Sequence, residues 1–70
     1  MTVTVHVLEV NIPAMSTIGY AEGIDEDGRP VRFAGDHRPM RDIGEAIIRH
    51  LEDPANFDPP ACEVDEYQFL

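Results

Sequence analysis

The side chains in this chain that could ligate a metal or act as a nucleophile are His6, His37, His50, Cys62 and Ser16, and their spacing fits none of the usual sites. Metal ligands held by a short stretch come in pairs a few residues apart, whereas the three histidines and the cysteine are widely separated. Ser16, the only serine, lies in PAMST without the glycine-flanked elbow that exposes a hydrolase nucleophile. His6 falls on the polar side of an alternating stretch. His50 falls near the end of a helical pattern, where a protonated imidazole is mildly favoured. The pattern points away from hydrolases and metalloenzymes, and no catalytic residue, metal or cofactor is expected.

Charge is the next candidate. His37, Arg38 and Arg41 crowd the entrance of the helical segment, where cations oppose the positive end of the helix dipole. In the ordinary reading they are balanced within the helix, Arg38 by Asp42 and Arg41 by Glu45, at roughly 0.3 kcal/mol for each four-residue pair. In the functional reading, His37, Arg38 and Arg41 with the free N–H groups dock an acidic ligand or partner. Acids form a second cluster. Glu52, Asp53, Asp58, Glu63, Asp65 and Glu66 run without an intervening base, and Glu22, Asp25, Glu26 and Asp27 add to them. Such a band either keeps a small domain in solution or imitates spaced phosphates to occupy a nucleic-acid-binding protein.

Composition narrows the classes. Seventy residues make one domain, 1–70, and a chain of this size buries only about 60% of its unfolded surface, so help from a partner is plausible. The net charge of −9 comes from 14 acids against five arginines and no lysine, which opposes direct binding to nucleic acid or to an anionic membrane. A single cysteine excludes an internal disulfide. No leader peptide or long apolar run is visible, so a cytoplasmic location is expected.

The elements follow from periodicity. Residues 2–12, TVTVHVLEVNI, alternate apolar and polar, but the apolar set slips phase at Val7-Leu8. A slip of one residue in a strand means either a β-bulge or two apolar faces. Ile18, Tyr20 and Ile24 mark one face of a second strand, and DEDG at Asp25–Gly28 makes a hairpin spanning about Thr17 to Ala34. A two-residue Asp27-Gly28 turn sets Ile24 opposite Val31, whereas a three-residue loop would set it opposite Pro30. The first is the better apolar match. Met40, Ile43, Ile47 and Leu51 recur at helical spacing with Ile48 on the shoulder, which predicts a helix from Pro39 to about Asp53, stopped by Pro54. Gly44 inside that helix costs about 1 kcal/mol against alanine, so either the sheet or another backbone approaches closely there. Phe57 would anchor the loop that follows, and residues 62–70 form a last strand with Tyr67 and Phe69 on one face.

The segment VRFAGDHRPMRDIGEAI followed by EVDEYQFL resembles small uncharacterised proteins of actinobacteria and their bacteriophages, over about the last forty residues of the chain. The resemblance carries no catalytic residue. What it implies is a phage setting, in which a protein this small works by binding a host or phage protein.

The expected fold is α+β, in the order β-β-β-α-β: a bent antiparallel sheet or small OB-like or SH3-like barrel with one amphipathic helix. Its core would draw on Val5, Val7, Ile18, Tyr20, Ile24, Val31, Phe33, Ile43, Ile47, Leu51, Val64 and Phe69. The expected function is a non-enzymatic protein-interaction module that binds a protein partner and forms a homodimer, with the acidic nucleic-acid mimic as the alternative.

Overall fold

The computed structural model describes residues 1–53, 55 and 58–70, apart from the side chain of His50. The stop at Pro54, the anchor at Phe57 and the His50 imidazole lie outside those described residues. Strands β1 (Thr2–Asn11), β2 (Ile18–Asp25) and β3 (Pro30–Asp36) are followed by helix α1 (His37–Glu52) and strand β4 (Ala61–Asp65). The strands form one antiparallel sheet in the order β3-β2-β1-β4. It curls into a half-barrel with α1 laid across β1 and β2, the α+β arrangement expected from the alternation and the single amphipathic stripe.

The phase slip in β1 is a bulge. Val7 pairs with Gly23, but the next pair is Glu9 with Glu22, so one extra residue stands in β1. Val5 and Val7, before it, are buried, whereas Leu8 turns outward. Beyond it Val10 and Ile12 rejoin the core from the helix side. The bulge lets one strand serve two partners, β4 along Thr2–His6 and β2 along Val5–Asn11.

The hairpin between β2 and β3 departs from the expected register. Ile24 pairs with Pro30 and Gly23 with Val31, which is the three-residue loop. Asp25 decides this. Its Oδ1 accepts from the N–H of Asp27 at 2.9 Å and of Arg29 at 2.8 Å, and its backbone N–H donates to the Arg29 carbonyl. Gly28, at φ 80°, supplies the left-handed residue such a loop requires. Local hydrogen bonding by an aspartate therefore outweighs the better apolar match. Asp25→Ala should lower stability by about 1–2 kcal/mol through the loss of both acceptor bonds. Urea titration would show this as an earlier midpoint with an unchanged slope.

The same register inverts the expected face of β2. Gly19, Ala21 and Gly23 point inward, while Ile18, Tyr20 and Ile24 are exposed. The interior is too tight for large side chains on this strand: a Cβ on Gly19 would lie 2.8 Å from the Met40 side chain. Among the described residues the buried core is Val5, Val7, Ala21, Phe33, Met40, Ile47 and Val64, with Val31 and Ile43 half-buried beside it. Leu51 and Phe69 are also on the outside, contrary to the periodicity.

Helix α1 starts at His37 rather than Pro39. Asp36 is its N-cap, with Oδ1 accepting from the Arg38 N–H at 3.0 Å. Pro39 then takes the third position, where a missing N–H leaves no intrahelical bond unmade. The last strand is shorter than the alternation suggests. Glu66–Gln68 turn as a 3-10 helix and place Tyr67, 85% exposed, in solvent. The turn brings Phe69 beside Phe33 of β3, where the Leu70 N–H donates to the Arg32 carbonyl at 3.0 Å. Gln68 fastens it, donating to the Ala34 carbonyl and accepting from the Asp65 N–H. The free edges of β3 and β4 are thereby tied to each other by the end of the chain.

Candidate functional site

The bulge that turns Leu8 outward also opens a gap between β1 and the helix. Leu8, Val10 and Ile12 form one wall; Met40, Gly44, Ile47, Ile48 and Leu51 form the other, around an apolar groove of about 430 Å³. Ile48 is 60% exposed and Leu51 65% exposed, although both continue the helix's apolar stripe. A core helix buries that stripe; here its outer half is uncovered. Glu9, Arg41 and Glu45 border the groove.

Gly44 lies on the groove wall, and the chain's own packing does not demand a glycine there. A Cβ on Gly44 would meet Val10 at 3.7 Å, an ordinary contact. Close approach of the sheet, one of the two reasons the sequence offers for this glycine, is therefore excluded.

The expected cationic trio divides. His37 is committed to the fold: its backbone N–H and its Nδ1 both lie 3.0 Å from the Thr17 carbonyl oxygen, and Nδ1 lies 3.3 Å from Asp36 Oδ1. A carbonyl and a carboxylate only accept, so Nδ1 carries the proton and His37 straps the β1–β2 connection to the helix start. Arg38 and Arg41 remain exposed. Arg32 pairs with Glu22 at 2.8 Å, and among the described residues neither the Arg38–Asp42 nor the Arg41–Glu45 pairing forms. What offsets the cations in the first turn is the Asp36 carboxylate at the N-cap. Arg41 reaches the groove; Arg38 stands one turn before it, outside the lining.

The acidic residues are dispersed over three elements. Glu52 ends α1, Asp53 and Asp58 lie between α1 and β4 in the chain, Glu63 and Asp65 lie on one side of β4, and Glu66 opens the 3-10 turn. Glu63 accepts from Thr2 Oγ1 at 3.3 Å across the β1–β4 pair. Within the described residues no three of His, Cys, Asp and Glu come together as a metal cage. Burial pushes the Cys62 thiol above its ordinary pKa, which keeps it protonated and a poor nucleophile at neutral pH. No helix among the described residues is long and apolar enough to cross a membrane.

Periodicity in the sequence does not reveal the groove, because it places Leu51 in the core and Leu8 on a strand face. The one signal that could have found it is the phase slip itself, which turns Leu8 away from Val5 and Val7 while Ile48 widens the helix stripe on the same side. No protein-family model, curated protein or solved structure matches this chain.

Proposed function

We propose that this chain is a small, acidic, non-enzymatic protein-interaction module of phage origin, acting in the host cytoplasm on a host or phage protein. The observation that carries this reading is the uncovered apolar groove between β1 and α1, with Arg41 on its rim and Arg38 one turn away. Apolar patches left open on a small domain and edged by polar groups mark contact surfaces. Arginine is the cation that most often anchors them.

The competing reading, an acidic mimic of nucleic acid, draws on the distribution of charge. Helix α1 holds three arginines and three acids and is neutral, so the net charge of −9 belongs entirely to the rest of the chain. In this reading Glu52, at the last position of the helix, makes the contacts with Asp53, Asp58, Glu63, Asp65 and Glu66, and the arginines of the helix do not.

Affinity purification from the native host with mass spectrometry, run on three versions of the protein, separates the two. For a docking module, Arg38→Gln with Arg41→Gln leaves the melting curve within about 1 kcal/mol of the parent and weakens the captured partner by about 2 kcal/mol or more. For a mimic, that double variant binds as well or better, while Glu63→Gln, Asp65→Asn and Glu66→Gln together release a DNA- or RNA-processing enzyme. An arginine variant that loses stability and keeps its partner defeats the docking reading.

A further inference from the structure

We infer that the groove between β1 and α1 is covered by a second copy of this chain, joined about a two-fold axis through the free flank of β1. The inference rests on reading that groove as a docking surface and names its occupant.

Three observations select a second copy. The first is the strand edge. β4 covers β1 only from Thr2 to His6, and the last bond on that side runs from the Val7 N–H to the Pro60 carbonyl. β1 itself continues to Asn11, so among the described residues the flank of Leu8–Asn11 away from β2 has no strand beside it. An open flank four residues long is a template for another strand, and antiparallel pairing with the identical flank satisfies both copies at once.

The second is charge. Two bodies of −9 repel each other, but α1 is neutral and the groove rim carries both signs, Arg41 with Glu9 and Glu45. A two-fold axis at the groove turns the neutral sides together and leaves the acidic remainder facing away. Arg41 of one copy then reaches the Glu9 and Glu45 side of the other. A cationic partner would be drawn to the acidic strands and the hairpin tip instead.

The third is area. The chain exposes 5039 Å², against about 4,400 Å² for a compact folded monomer of its mass, and the surplus of roughly 600 Å² approaches one partner's share of an ordinary stable interface. Leu8, Ile48 and Leu51 are the exposed large hydrophobics that line the groove. Gly44 fits the same picture. Its own chain leaves room for a side chain there, so the missing Cβ gives space to the incoming strand.

Sedimentation velocity on the full chain tests this, with parallel pull-downs. At about 100 µM, interface areas of this class should give a particle of twice the 7.8 kDa chain mass. Ile48→Glu puts a carboxylate on an exposed position outside the core, and Gly44→Leu fills the groove from its wall. Each should stay folded, with a melting temperature at or modestly below that of the wild type as the dimer's contribution is lost, and raise the dimer dissociation constant at least tenfold. A wild-type monomer at that concentration overturns the inference, and so does a dimer that both variants leave intact. If the wild type is monomeric and Ile48→Glu still releases a captured protein, the docking reading survives and only its occupant changes. If neither mass nor capture responds, both fail.

Discussion

Gly23→Ala should abolish cooperative folding or lower Tm by about 15 °C or more, the largest effect expected of any alanine substitution in β2. Gly23 pairs with Val7 at the bulge, where β1 presses its backbone against β2. A Cβ there would fall inside the contact distance of the His6 carbonyl oxygen and lie 2.9 Å from Val5 Cγ1. Neither obstacle can step aside. The carbonyl belongs to backbone paired with both neighbouring strands, and Val5 is at the centre of the core. Relief requires parting β1 from β2. Overpacking of this kind costs about 3 kcal/mol or more, a large share of the roughly 4–10 kcal/mol that stabilises a chain of seventy residues. Gly44→Ala is the control, since its Cβ meets only ordinary contacts. It should raise stability by up to about 1 kcal/mol through helix propensity. Thermal melts by circular dichroism of the two variants, side by side, would distinguish a space requirement from a general sensitivity to glycine loss. An unchanged melt for Gly23→Ala would show that β1 and β2 do not approach as described.

Ile47→Asp is expected to be as severe by a different route. Ile47 is 8% exposed, on the helix face that packs into the core cluster. A carboxylate there loses its hydration and gains no partner, so the chain should be unfolded at neutral pH. Ile24→Asp supplies the contrast. Periodicity along the sequence places both isoleucines in the core, but Ile24 is 38% exposed on the outer face of β2. Its substitution should cost less than about 1 kcal/mol. Equal damage from both would mean that β2 faces the other way.

That contrast shows where a sequence reading of this chain works and where it stops. The order of elements, the phase slip in β1 and the helix are legible because each shows in local pattern carried by several residues, although the slip alone leaves a bulge and a strand apolar on both faces equally open. The inward face of β2 is not, because the pattern takes bulk as the mark of burial. In a sheet curled this tightly the innermost positions go to Gly19, Ala21 and Gly23, and the larger residues are displaced outward. The helix start and the hairpin loop are misplaced for one shared reason. In each, an aspartate oxygen accepts backbone N–H groups, Asp36 at the helix and Asp25 at the loop, and that outweighs proline placement and apolar matching. The candidate site is the least legible part. A groove is a property of two surfaces that fail to meet, and neither Leu8 nor Ile48 states alone where the other will be.

The pairing of β1 with β4 has a consequence for how the protein is made. Thr2 lies opposite Asp65 and His6 opposite Ala61, so β1 leaves the ribosome ahead of β2, β3 and α1 and waits for β4 to follow them. The two hairpin strands and the helix can assemble beforehand from local contacts, but the long loop between β1 and β4 closes late, and such closures are slow. During that interval the N-terminal flank of β1, with Val3, Val5 and Val7, offers an unpaired apolar edge to any neighbouring nascent chain. The acids made next, Glu22 and Asp25 to Asp27 in the hairpin, then act before there is a fold to stabilise, as like-charge repulsion between unfinished copies.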